Sequence, residues 1–478
     1  MKVLFIDPPG RVKGINLGFA FLAAVLKKEN HEVKVLDFNN RYQINQELIL
    51  KKTLAEFKPD IVGFTMLSLS YYACMKLIDK VKRYHKCKVI VGGAQTFIEQ
   101  EQLLKDNRNI DVVAIGEGEE TILELARAFE HKMALNDVKG IIFRSSGRIV
   151  RTEKRPLIKD INSLPLPDYE ALGIKHFNFE GKHAYPILTS RGCPYNCNFC
   201  YSQVLSNRSW RARTPESLIT ELKLAVKKFD CELFSIVDDN FTLDIARAEK
   251  FCNLLIKEKL NLNWVCMARA DKLTESLVQK MKLSGCERVQ IGVESLVPEI
   301  FNDIDKGESL EDIKNAVKLF KKYKIKIYSF FIIGLPKDTF KGVMDSYRFS
   351  KEIGFDFNSW QNLMPLPRTR VFDWVKKHGK ILKDYKNQSS QLFEVGFETP
   401  EFTKEEREKA FNIIAIKEKA YPFDPRKSTF QNGLITLKLI LQYDMFHLPA
   451  HTYKLTRKAF NIAFKGKTQA LSGIEFVD

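Results

Sequence analysis

Short β-branched runs alternate with longer helical stretches along most of this chain, and no other feature constrains its fold as strongly. Strand, helix and next strand joined in that order close their backbone hydrogen bonds as a parallel sheet with helices packed on its faces. Two such series are present. In the first, Val3–Ile6, Val33–Leu36, Ile61–Thr65, Val89–Val91 and Val112–Ile115 read as strands, with helices such as Phe19–Lys28, Tyr72–Arg83 and Thr121–Phe129 between them. Ile141–Arg144, a Ser-Ser-Gly turn and Ile149–Val150 follow as a hairpin, and a proline-dotted connector runs from Pro156 to Pro167. The second series takes Tyr185–Thr189, Leu233–Val237, Trp264–Ala268, Arg288–Val293, Ile327–Ile333 and Phe355–Met364 as strands, three quarters of a (β/α)8 barrel. The expected class is α/β. A doubly wound, Rossmann-like domain spans 1–152, a linker 153–180, a partial (β/α)6 TIM-type barrel 181–385 and a helical C-terminal region 386–478.

Hydrophobic residues at 45% and charged residues at 28% of 478 exclude wholesale disorder and low-complexity folds. No uninterrupted apolar run has the length of a membrane helix, and Met1–Asp7 reads as a first strand, not a signal peptide. The net charge of +17 is spread along the chain without a polybasic block, so it reads as a solvated surface, and nucleic acid is not an expected partner. Nine cysteines, an odd number at low density, fit a reducing compartment, and the expected location is the cytoplasm or the membrane face that borders it.

Three of the nine stand together in Arg191-Gly192-Cys193-Pro194-Tyr195-Asn196-Cys197-Asn198-Phe199-Cys200-Tyr201, spaced C-x3-C-x2-C after the first barrel strand. Iron–sulfur cubes normally take four cysteines, so a compact set of three leaves one iron open to another ligand. Structural zinc needs a fourth Cys or His, and the nearest upstream histidine, His183, lies ten residues before Cys193. Zinc and unrelated core cysteines are the other readings. Cys74, Cys87, Cys231, Cys252, Cys266 and Cys286 are isolated and read as buried apolar residues.

At these residues the chain resembles the radical S-adenosylmethionine (radical SAM) superfamily, whose signature is C-x3-C-x2-C with an aromatic, here Phe199, before the last cysteine. The resemblance implies a [4Fe-4S] cluster on Cys193, Cys197 and Cys200, reductive cleavage of SAM there to a 5′-deoxyadenosyl radical, and Tyr195 and Phe199 beside SAM. It also assigns the later strand ends. Asp238 and Asp239 are expected near the methionine amino group, Arg269 near the carboxylate, Glu294 and Ser295 near the ribose and carboxylate, and Gly334 near the adenine.

The N-terminal domain resembles the cobalamin-binding domain fused to the barrel in one large radical SAM subfamily, which includes methyltransferases and anaerobic Mg-protoporphyrin monomethyl ester cyclase-like proteins. The matching residues are Asp7-Pro8-Pro9, Leu17-Gly18, Pro59 to Gly63, Val91-Gly92-Gly93 and Gly116-Glu117-Gly118-Glu119. The resemblance implies a cobalamin site formed by Asp7, Gly18, Thr65, Ser68, Gly92, Gly93, Gln95, Thr96, Gly116 and Glu117. Relatives often carry Gly-Gly-Pro-His-Pro-Thr where this chain has Gly92-Gly93-Ala94-Gln95-Thr96. D-x-H-x-x-G is also absent, which implies cobalt without a histidine beneath it.

With both cofactors the expected reaction is methylation of an unactivated carbon or phosphorus in a small-molecule or lipid substrate, with a reducing partner such as flavodoxin or ferredoxin. A cobalamin-dependent oxidative cyclase or rearrangement enzyme would use the same residues without net methylation. A tRNA-modifying enzyme of this superfamily normally brings a second three-cysteine site, which Cys74 and Cys87 do not make. A non-catalytic cobalamin or iron–sulfur protein is the remaining alternative. Between Lys454 and Lys467 the tail carries five basic residues and no acid, interleaved with Phe460, Ile462 and Phe464. It reads as a helix packed on its own protein, or as one lying on an anionic membrane.

Overall fold

The computed structural model describes the chain except residues 11–13, 41–44, 175, 180–181, 388–393, 420–428, 444–473 and 478. The basic stretch Lys454–Lys467 lies outside the described residues. Among them, no helix is long and apolar enough to cross a membrane.

The first sheet holds β1 (Lys2–Asp7), β2 (Glu32–Asp37), β3 (Ile61–Thr65), β4 (Lys88–Gly92), β5 (Val112–Ala114) and the hairpin β6 (Ile141–Ser145) and β7 (Arg148–Arg151), in the order β2-β1-β3-β4-β5-β6-β7. Pairing is parallel through β5, and the hairpin adds antiparallel. β1 reads Lys-Val-Leu-Phe-Ile-Asp with its last five residues buried, the unbroken apolar run of a strand covered on both faces. In a sheet of this order ligands enter at the carboxyl ends, where β1 and β3 part. Gly10, after β1, has φ +128°, and a Cβ there would lie 2.2 Å from Leu69 O, so the loops after β1 and β3 touch at a point only glycine allows.

The second sheet begins with a hairpin, β8 (His176–Phe179) and β9 (Lys182–Ile187). The short strands β10 (Ser190–Arg191) and β11 (Arg211–Ala212) pair antiparallel beside it. From β9 the sheet continues in chain order with parallel β12 (Leu233–Ile236), β13 (Asn263–Ala268), β14 (Cys286–Glu294), β15 (Lys326–Ile333) and β16 (Phe357–Asn362). Helices follow the strands, and their starts are legible: Thr214 accepts from Ser217 N–H (3.3 Å) with Pro215 in the first turn, and Ser309 and Asp312 form a capping box. Phe234, Phe241 and Phe251 surround Trp264, whose Nε1 donates to Ser284 O (3.0 Å).

The C-terminal region is not wholly helical. β17 (Lys380–Ile381) and β18 (Phe397–Glu398) pair antiparallel, and β19 (Ile474–Val477) pairs with the outer edge of β8. An open edge presents unpaired N–H and C=O groups that accept another strand. The helix Lys404–Lys417 closes the barrel beyond β16, placing Ala410 and Ile414 in the barrel core. Its Arg407 is 1% exposed, lies over the rings of Phe397 (4.0 Å) and Phe402 (4.9 Å), and abuts Gly334, where φ is +91° and a Cβ would meet Arg407 NH1 at 2.3 Å.

Asp338 shares this corner and accepts from the N–H groups of Gly334 and Thr339 (2.9 Å each). Burial pushes its carboxyl up to about 7 and pushes Arg407 down to about 10. Folding therefore favours protonated Asp338, so stability falls as pH rises between about 4 and about 7. In thermal unfolding followed against pH, Asp338→Asn should make that downward slope shallower, the part due to buried Glu294 remaining.

Candidate active site

The three cysteines lie between β10 and the helix Ser202–Ser206, near the carboxyl end of the first parallel barrel strand. Gly192 opens the loop at φ +82°, with the position of a Cβ 2.2 Å from Ser209 O, so only glycine passes. The loop is then pinned from several sides. Asn198 donates its N–H to Ile304 O and its Nδ2 to Asp303 O (3.0 Å each), and its O accepts from Val371 N–H (3.1 Å). Gln203 Nε2 donates to Cys197 O (2.8 Å). Phe199 packs between two apolar clusters, one with Leu363, Val371 and Val375 and one with Ile300, Ile304 and Leu335.

All three thiols are free and half-buried. Burial pushes Cys197 up to about 12 and Cys200 up to about 11, and raises Cys193 too, while the N–H groups of Tyr195 and Ser202 pull Cys193 and Cys200 back down. Protonated thiols of this kind become ligands when iron displaces their protons. Among the described residues no three Cys, His, Asp or Glu converge on a single point as one metal ion requires. A cube spreads its thiolates over separate irons, so the donor set fits it.

The strand ends around this loop carry buried charge. Arg269, 6% exposed, lies 3.4 Å from the centre of the Tyr195 ring and pairs with Asp271 (2.9 Å) and Glu308 (3.5 Å). Burial opposes its charge, but Glu308 and Asp271 overcome that and raise its pKa. Its NH2 and the Nδ2 of buried Asn240 have no hydrogen-bond partner among the described residues, so two donors remain for a carboxylate or hydroxyl. Lys306 bridges Glu308 (2.9 Å) and Glu294 (3.9 Å). Glu294 sits at a bulge with φ +67°, folded over Gly292, where a Cβ would collide with its Oε1 at 2.3 Å; burial pushes its carboxyl up to about 7. Asp239 is exposed and accepts from Ser202 Oγ (2.6 Å).

Other expected SAM residues are engaged by the protein itself. Asp238 is 2% exposed and accepts from Thr189 N–H (2.6 Å), Thr189 Oγ1 and Ser190 Oγ (2.7 Å), bracing the end of the first parallel strand. Ser295 Oγ accepts from Val297 N–H (3.2 Å) and meets Ser346 Oγ (3.4 Å), on the helix side of β14. Gly334 carries Arg407.

On the first domain's rim, Asp7, Thr65 and Gly92 end β1, β3 and β4. Gly93 has φ +97°, and a Cβ would meet Met66 O at 2.8 Å; at Gly92 and Gly116 a Cβ would meet nothing within 4 Å. Gly18 is exposed at the start of the helix Leu17–Lys28. These small residues leave an open cradle that fits a large flat ligand. Thr96 Oγ1 shares its one hydroxyl hydrogen between Gly93 O (2.8 Å) and Ala114 O (2.9 Å), and Ser68 Oγ donates to Gln95 Oε1 (2.8 Å). Glu117 differs from expectation: its carboxylate takes Arg191 NH1 (3.1 Å), Arg211 NH1 (2.8 Å) and Ile158 N–H (2.7 Å), while Glu119 takes Arg191 NH2 (2.6 Å). The two arginines, opposite each other on β10 and β11, overcome burial and hold Glu117 below the usual carboxylate range. It joins the domains instead of facing the cradle.

The chain matches the radical SAM superfamily over residues 187–350 and the B12 binding domain over residues 11–126. An uncharacterized methyltransferase from Pyrococcus horikoshii is 30% identical over 394 residues, which cover 80% of this chain and 84% of the relative. The chain belongs to the cobalamin-binding radical SAM family. An anaerobic magnesium-protoporphyrin IX monomethyl ester cyclase from Rubrivivax gelatinosus is 27% identical over 78% of this chain and 69% of its own. The methyltransferase TsrM from Kitasatospora setae, solved with tryptophan and a SAM analogue, shares the fold at a TM-score of 0.68 and 18% identity, over 79% of this chain and 76% of that one. As a family member the protein is an enzyme whose cofactors are a [4Fe-4S] cluster, SAM and cobalamin, and it acts on a substrate with electrons from a reductant.

Cys197→Ala should leave the reconstituted protein without the cluster's visible absorbance and with iron reduced towards background, read by absorbance and iron assay. Arg269→Gln removes the charge and withdraws the terminal donors, because the glutamine amide ends two heavy atoms short of the guanidinium tip. It should weaken SAM binding about tenfold or more in equilibrium titration of the cluster-loaded protein, in line with ~1.5–3 kcal/mol for a charged hydrogen bond.

Proposed function

We propose that this enzyme methylates an unactivated carbon or phosphorus centre in a small-molecule or lipid substrate, drawing electrons from a flavodoxin- or ferredoxin-like protein. One observation carries the reading. Glu117, beside the open cradle, clamps Arg191, two residues before Cys193, and so ties the cradle's domain to the cysteine loop, which supports a reaction that uses both cofactors together. The relative from Pyrococcus horikoshii is itself named a methyltransferase.

When bound, the cluster and SAM supply a 5′-deoxyadenosyl radical and cobalamin supplies a transferable methyl group. The chain's residues prepare the space. Arg269, stacked on Tyr195, presents its free NH2 to a carboxylate, and Asn240 adds an amide donor. Lys306 offsets Glu294 and Glu308, so neither buried carboxylate stands uncompensated. Phe199 and the aliphatic residues around it keep water from the back of the cysteine loop. Trp360, stacked on Phe331 at 4.2 Å, belongs to the barrel wall.

The cyclase-type reading has its own support, the Rubrivivax relative. The two differ in their products. Anaerobically reconstituted enzyme with reductant, aquacobalamin and SAM should form both 5′-deoxyadenosine and S-adenosylhomocysteine, quantified by mass spectrometry. 5′-Deoxyadenosine alone would overturn methyl transfer and favour cyclisation or rearrangement; the absence of both would overturn the enzyme reading.

A further inference from the structure

The chain does not leave the barrel at β16. The helix Arg370–His378 leads into an arm whose base is the β17–β18 pair, with Lys380 opposite Glu398 and Ile381 opposite Phe397. After β17 the chain reaches the first domain at Tyr385 and Lys386. Lys386 Nζ there lies 3.1 Å from Glu99 Oε2, the Tyr385 hydroxyl donates to Glu99 Oε1, and the Lys386 ammonium sits 4.6 Å from the centre of the Tyr71 ring. The side chains of Glu99 and Lys386 are 6% and 17% exposed.

Glu99 ends the helix Ala94–Glu99, which starts at the glycine pair of the cradle. Its Oε1 also accepts from Gln95 Nε2 (3.1 Å), and Gln95, fully buried, accepts from Ser68 Oγ (2.8 Å) on the loop after β3. Both ends of the Gln95 amide are therefore taken, one by the rim and one by the carboxylate that the arm holds. An enclosed carboxylate is costly without a counter-charge, and Lys386 supplies it. At the arm's base, Phe397 packs with Leu363, Val371, Val375 and Phe199, the aromatic inside the cysteine loop.

We propose that this arm is a positioning device for cobalamin. Tyr385 and Lys386 fix Glu99, Glu99 fixes the Gln95 amide, and the amide holds Ser68, so the rim keeps its ligand-ready shape only while the arm is docked. With its base against the cysteine loop and its far end on the rim, one element sets the register of the two cofactor sites. The inference rests on the cobalamin reading of this rim.

The test is spectroscopic titration of anaerobically prepared, cluster-loaded, full-length protein with aquacobalamin. Lys386→Met should weaken binding about tenfold or more, because a preorganised rim is lost, while Lys386→Arg, which keeps the charge, should restore it to within about threefold. Iron content and cluster absorbance report whether each variant folds. If Lys386→Met folds poorly, Glu99→Leu/Lys386→Met removes both buried charges; it should fold and still bind weakly, because Gln95 has lost its partner. Wild-type affinity in a folded Lys386→Met or double variant would overturn the proposal. Failure of the wild-type protein itself to bind aquacobalamin would overturn the cobalamin reading and this inference with it.

Discussion

The Glu117–Arg191–Arg211 ion cluster is the interaction on which the two-site arrangement depends. Glu117 and Arg191 are 14% and 15% exposed at the side chain, so their attraction acts where water screens it little. Such a pair adds little net stability over an apolar contact, yet removing one partner strands a buried charge at roughly 3–5 kcal/mol. Its worth is therefore positional. Glu119 and the Phe21 ring hold Arg191 from the first domain, and its neighbour Gly192 turns the chain directly into the cysteine loop.

The barrel mouth follows the same economy. Arg269, Glu308, Lys306 and Glu294 form a connected run of alternating charge, with Arg269 stacked on Tyr195 from within the loop. A cluster with thiolate ligands and a sulfonium cofactor would bring further charge to this wall, and preorganised partners lower the cost of receiving it. The bulge at Glu294 is part of this arrangement. A non-glycine residue at positive φ costs about 1–3 kcal/mol, and here it turns the carboxylate back over Gly292 towards Lys306.

The parallel strands were legible because fully buried strands leave unbroken apolar runs, and the cysteine spacing is local, so it could be read directly. Strand-end polar residues were legible as positions but not as directions. Asp238, Ser295 and Glu117 all stand at turns, yet hydrogen bonds to Thr189, Ser346 and Arg211 turn them to structural work that a linear sequence does not display. Asn240 was missed in the same way: it follows the two aspartates, and burial with an unpartnered amide distinguishes it from them. The arginine partners of Glu117 lie 74 and 94 residues away, and Lys386 lies 287 residues from Glu99, separations at which no local pattern reports a contact.

Gln95, which the family resemblance sets against a histidine, has a physical reading in the contacts around it. A neutral imidazole offers one donor and one acceptor at fixed angles on a rigid ring, whereas an amide presents two donors and an acceptor at the end of a flexible chain. Gln95 uses the acceptor towards Ser68 and a donor towards Glu99. A histidine could make both bonds only in one tautomer, and beside a carboxylate it would tend to hold a second proton, leaving no acceptor for the Ser68 hydroxyl. An amide keeps the same hydrogen-bond polarity at every pH the protein meets. The rim's shape then depends on the arm that fixes Glu99, and not on a titrating group within the rim.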